Sequence, residues 1–165
     1  MLESANYHID NLESFLNKEI GVSDWMTVDQ ERIDKFADAT DDPNPMHIDP
    51  AWADANGPFG GTIAHGFLTV SLLTKFAMQV GLMPEGVAYP LNYGFERLRL
   101  MAPVKVGARI RNRMTLIGVD RKVVGTVAKT RNTVEIEGES RPAMVAVWLG
   151  LFIKADEAAE AGMGA

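Results

Sequence analysis

The segment F-L-T-V-S-L-L-T-K-F-A-M-Q-V-G-L, beginning at Phe67, leaves a folding chain few options. It is apolar nearly all round, broken only by Lys75 and Gln79, whereas a surface helix carries a polar stripe. A helix here must therefore be buried. Extended to Met83, the run still falls short of the roughly 20 residues needed to cross a bilayer, so protein has to cover it. From Val87 onward the pattern changes. Leu91 to Met101, Ala108 to Val119, Val123 to Ile136 and Met144 to Lys154 are rich in Val, Ile, Thr and Phe and alternate in polarity. Turn residues separate them: Pro103 and Gly107, then Asp120, then Gly138 to Pro142. Helices first and antiparallel strands afterwards predict an α+β fold, with one long apolar helix lying on a curved sheet.

At 165 residues the chain suits one domain, and neither a repeat nor a linker interrupts it. The ordered core is expected over about residues 10–153, with the small, polar residues 155–165 frayed. Leu12, Phe15, Leu16 and Ile20 recur at helical spacing, with Asp10 as cap and Gly21 as stop. Thr27 and Gln30 read as a capping box for a second helix through Ala39 that buries Ile33, Phe36 and Ala37. Asp49-Pro50 reads as an N-cap and first turn of a short helix that carries Trp52 and ends near Gly57.

Charge and composition narrow the function. A formal net charge of −6, with no basic block, argues against nucleic acid or an anionic membrane surface as partner. The absence of cysteine removes disulfides, thiolate catalysis and thiolate-bound metal, and suits a reducing cytoplasm. The N-terminus has neither the basic start nor the apolar core of a signal peptide.

The most polar and most rigid stretch is D-D-P-N-P-M-H-I-D-P, from Asp41 to Pro50. Three readings compete. It can be a turn in which Asp42 and Asn44 bond their own backbone. A calcium loop fits badly, because Met46 and His47 fall where an oxygen ligand and a glycine are needed. Zinc would need further ligands, and only His8 and His65 remain as histidines, so no metal is expected. An acid/base site needs a carboxylate and an imidazole on a stiff mount, and Asp42 and His47 supply them. Gly66, opening the apolar helix, offers a backbone N–H at the positive end of the helix dipole for a substrate oxygen. A β-carbon there would project into the space for that oxygen. Close packing is the plain alternative for Gly66, and a packing role for His65. On residue types alone, the turn and the acid/base site both stay open.

D-P-N-P-M-H-I-D-P-A-W-A resembles the hydratase-2 motif of the MaoC-like, (R)-specific enoyl-CoA hydratases. G-G-T-I-A-H-G-F-L is similar to that family's second signature, and N-Y-G-F-E-R-L-R-L-M-A-P-V-K-V-G to the strand and turn that follow, particularly in the NodN-like branch. The resemblance covers roughly residues 10 to 153. It implies a hot-dog fold, a sheet wrapped around a central helix near Gly66 to Val80, and a homodimer with acyl-CoA bound near the interface. It also implies cofactor-free (R)-specific hydration of trans-2-enoyl-CoA, or the reverse dehydration. By position, Asp42 and His47 become the catalytic pair, Asn44 the residue that orients them, Gly66 the oxyanion donor and Thr74 a small hydroxyl facing the site. Trp52, Phe59, Phe67 and Tyr93 are candidate pocket walls. The family often has glycine before the aspartate. Here it is Asp41, expected to face solvent.

Two rivals share the thioester ligand. A hot-dog thioesterase usually carries its carboxylate on the central helix, and Phe67 to Val80 contains no Asp or Glu. A non-catalytic acyl-CoA binder or accessory subunit would have no need of the Asp42/His47 pair. A serine hydrolase is disfavoured because the nearest match to its elbow, G-E-S-R-P at Gly138, lacks the last glycine.

Overall fold

The computed structural model describes residues 6–155, so the tail expected to fray lies, from residue 156, outside the described residues. A 3-10 helix, Ile9–Phe15, leads into short strands β1 (Glu19–Val22) and β2 (Met26–Thr27). Helices α1 (Gln30–Thr40), α2 (Pro45–Ile48), α3 (Pro50–Asn56) and α4 (Gly66–Val80) follow. Four long strands complete the chain: β3 (Val87–Leu100), β4 (Arg109–Lys122), β5 (Gly125–Ile136) and β6 (Met144–Lys154). All pair antiparallel in one sheet of order β1-β4-β5-β6-β3, with β2 also on β4.

Helix α4 lies on this sheet and buries Leu68, Thr69, Leu72, Leu73, Phe76 and Ala77. Alternate residues of the strands meet it, including Ile110, Met114, Leu116, Val134, Met144, Trp148 and Phe152. Gly81 ends the helix in the left-handed conformation, at φ 67°, where glycine carries no β-carbon penalty. Phe76 is wholly enclosed, and truncating such a ring to alanine costs about 3–5 kcal/mol.

Three expectations need correction. The first helix is shorter than its apolar spacing suggests, because Asn17 turns the chain at φ 62° and Ile20 is buried in β1 instead. His8, not Asp10, caps it. Thr27 lies in β2, so α1 is capped by Asp29, whose side chain accepts the Arg32 N–H at 2.9 Å. Finally, α4 is not covered on all sides: Phe67 and Met78 are 74% and 73% exposed, because one sheet can cover only one side of a helix.

Candidate active site

The end of α1 places Asp42. Asp41 caps the helix in the left-handed conformation (φ 52°, ψ 37°), its N–H on the carbonyls of Ala37 and Asp38. The next N–H, that of Asp42, returns to Ala37 O at 3.0 Å. A glycine is the natural occupant of such a position, and Asp41 holds it with its side chain in solvent, as expected. Two residues on, the Asn44 side chain accepts the Met46 N–H at 3.1 Å and its carbonyl accepts the His47 N–H at 2.8 Å. Asn44 thus starts the helix that carries His47, with Pro45 preset for the first turn.

His47 is buried, and its Nδ1 lies 2.7 Å from Ile63 O. A carbonyl only accepts, so in the neutral ring Nδ1 carries the proton and Nε2 keeps its lone pair. Gln30 locks the surroundings: its amide donates to His47 O at 2.8 Å and accepts from the fully buried Thr62 hydroxyl at 2.5 Å. The residue read as part of a capping box therefore ties α1, α2 and the glycine-rich loop together.

His65 packs on the same point. Its Nε2 is 3.0 Å from Asp42 O and 3.8 Å from the Asp42 carboxylate. Its ring lies 3.8 Å from that of His47, tilted by 30°, with Phe36 at 5.1 Å on another side. One polar atom from each of Asp42, His47 and His65 falls within 4.8 Å of the others. Polar atoms gathered this closely are within the span of one small ligand such as a water. The arrangement suits a metal ion less well, because the Asp42 carbonyl already engages His65 Nε2.

Gly66 is the first residue of α4, so its N–H has no acceptor within the helix. It lines a pocket of about 360 Å³ together with Met46, His47, Ile63, Thr69 and Leu100. A β-carbon built on Gly66 would come within 2.3 Å of Leu100 Cδ1. What stands in its way is a leucine methyl, rather than the open oxygen space expected from sequence.

The five residues expected to line the substrate pocket do not wall this one. Trp52 and Phe67 are exposed on α3 and α4, and Phe59 lies half-buried in the loop after α3. Thr74 is two turns further along α4, about 12 Å at helical rise, and opens on a larger apolar cavity of about 450 Å³ with Leu91, Asn92 and Trp148. Tyr93, on β3, borders a third cleft together with Thr74.

A MaoC-like domain profile matches residues 12–139. The chain belongs to the MaoC-like domain family. Within that family it is 46% identical to Nodulation protein N of Rhizobium leguminosarum bv. viciae over 86% of this chain and 89% of that one. It is 45% identical to the 3-hydroxyacyl-thioester dehydratase Z of Mycobacterium tuberculosis over 84% and 91%. The unliganded R-hydratase PhaJ1 of Pseudomonas aeruginosa superposes with a TM-score of 0.70 at 19% identity, over 90% of this MaoC-like chain and 87% of that one. The shared architecture is the hot-dog fold. Among the described residues no helix is long and apolar enough to cross a membrane.

Proposed function

We propose that this MaoC-like protein is a hydro-lyase that adds water to trans-2-enoyl-CoA to give (3R)-hydroxyacyl-CoA, or runs the reverse dehydration. The observation that carries the reading is the Asp42/His47 pair, within reach of one water, beside a pocket to which Gly66 contributes a free helix N-terminus. The Asp42 carboxylate and His47 Nε2 hold that water. Its oxygen bonds to C3 while one proton passes to Nε2. The C2–C3 electron pair moves toward the thioester oxygen, whose enolate charge Gly66 N–H stabilises. C2 then recovers the proton from His47, so the elements of one water add to one face. The dehydratase name of the Mycobacterium relative supports this reading, and neither a metal nor an organic cofactor is called for.

Assembly as a homodimer is part of the proposal. Among the described residues, strand β3 is a 14-residue edge with one unpaired side, and Leu91, Tyr93 and Phe95 on it are exposed alongside Phe67 and Met78 of α4. A long apolar edge of this kind invites a second copy. Sedimentation should give twice the mass of the 18.1 kDa chain. We place the protein in the cytoplasm, where acyl-CoA is formed.

The deciding experiment is incubation with crotonyl-CoA, followed by chiral analysis of the product. A (3R)-hydroxybutyryl-CoA product supports the proposal. A (3S) majority sinks it, release of free CoA would establish the thioesterase, and binding without turnover the accessory subunit.

A further inference from the structure

His65 takes no part in the water-holding pair as described, yet it is only 3% exposed and touches both members. Its Nε2 faces a backbone carbonyl, so the neutral ring must carry its proton there. Its other nitrogen, Nδ1, is buried without a hydrogen-bond partner among the described residues. Leaving a buried polar atom unsatisfied costs about 1–3 kcal/mol, which a leucine or phenylalanine of similar size would avoid. A residue serving packing alone gains nothing from that nitrogen.

The geometry assigns His65 as a positioning residue for the reaction. The assignment rests on the acid/base reading above. Nε2–H pins the carbonyl of Asp42 and so fixes where the loop after α1 sets its carboxylate. The ring face is the plate against which the His47 imidazole lies, while Ile63 O fixes that imidazole's rotation. Both constraints issue from the residue immediately before Gly66, so the water-holding pair and the oxygen-binding N–H are registered to one point, the start of α4. The two histidines accordingly hold opposite tautomers, Nδ1–H in His47 and Nε2–H in His65. A misplacement of about 1 Å can cost two decades in rate, so loss of this registration should appear in kcat.

Two variants separate the functions. His65→Phe keeps the plate and removes the donor; His65→Gln keeps an amide donor and removes the plate. On crotonyl-CoA, His65→Phe should lose about ten- to a hundredfold in kcat with KM within about twofold. His65→Gln should recover part of that loss. A folded His65→Phe protein with wild-type kcat overturns the assignment, and so does a KM effect with kcat unchanged. If His65→Phe fails to fold, His65→Gln decides alone, and wild-type turnover in it refutes the plate. Nitrogen-15 imidazole spectra of the wild-type protein at alkaline pH supply a readout independent of turnover. They should show one Nδ1–H and one Nε2–H ring for His47 and His65. Two rings of the same tautomer refute the positioning role even in an active hydratase, whereas opposite tautomers in a protein without hydratase activity would leave the geometry standing and overturn the chemistry alone.

Discussion

Replacing Gly66 with alanine tests the oxyanion donor, and the structure changes what the substitution does. The new β-carbon would sit 2.3 Å from Leu100 Cδ1, whereas ordinary carbon contacts begin at about 3.4 Å, so the methyl must retreat by about 1 Å. Leu100 is 50% exposed at the end of β3, and a side chain with that much open space around it can move that far for a small cost. Alanine is also the better helix former, by up to about 1 kcal/mol in a helix interior and less at a first position. Gly66→Ala should therefore melt within a few degrees of wild type. Both Leu100 and residue 66 border the pocket that holds His47, so the displaced methyl and the new one crowd the site together. Alanine keeps the N–H, so crowding by the two methyls should lower kcat/KM on crotonyl-CoA by at most the ~10²–10³ that loss of a whole oxyanion donor costs. Adding Leu100→Ala relieves the collision but leaves the β-carbon beside the N–H. If the double variant stays slow, the donor is blocked directly; if it recovers, the leucine was the obstruction. A folded Gly66→Ala enzyme with wild-type kcat/KM would refute the oxyanion role.

Asp42→Asn and His47→Gln should each lower kcat at least ~10²-fold, and the double variant should be scarcely slower, because both groups act on one water; near-normal turnover in Asp42→Asn ends the assignment. Asp41→Gly should raise thermal stability by on the order of 1 kcal/mol, since it relieves a left-handed non-glycine residue, with little change in kcat; a lower Tm would mean the Asp41 carboxylate itself supports the loop. Burial opposes ionisation of Glu135, but hydrogen bonds and charge from Arg111 and Arg113 outweigh it and hold the carboxyl below its usual range. A lowered carboxyl stabilises the fold above about pH 4.5, its ordinary value, and that contribution is lost as pH falls below it. Glu135→Gln should therefore destabilise the fold at neutral pH by on the order of 1 kcal/mol, seen as a lower Tm, a gap that closes on acidification; a gap independent of pH would contradict this.

Regular elements with a strong period were legible in the sequence. Gly66–Val80 and Met144–Lys154 lie where their patterns put them, and Asp49-Pro50 opens α3 as read, with the Asp49 side chain on the Trp52 N–H. Strands β1 and β2 were missed because four and two residues are too few to show alternation; they exist through their pairing with β4. At the site, the rigid D-P-N-P turn was legible because proline and asparagine act locally. The contributions of Gln30 and His65 were not, since a bond from residue 30 to residues 47 and 62, or a stack between rings 47 and 65, exists only after the chain has folded. The lining of the pocket beside His47 was not legible either, because Leu100 to Val104 and Ala143 reach it from remote strands and their turns.

That split between near and far has a corollary for substitution. The groups proposed to move protons, and the N–H proposed to steady the oxygen, all come from residues 42–66, on a stretch braced by its own helix ends. The pocket beside them is completed by residues 100–104 and 143, which are remote from that stretch in the chain. On the proposed function, substitutions in the β3–β4 turn and just before β6 would reshape the acyl pocket while leaving the braced stretch that holds the reacting groups untouched.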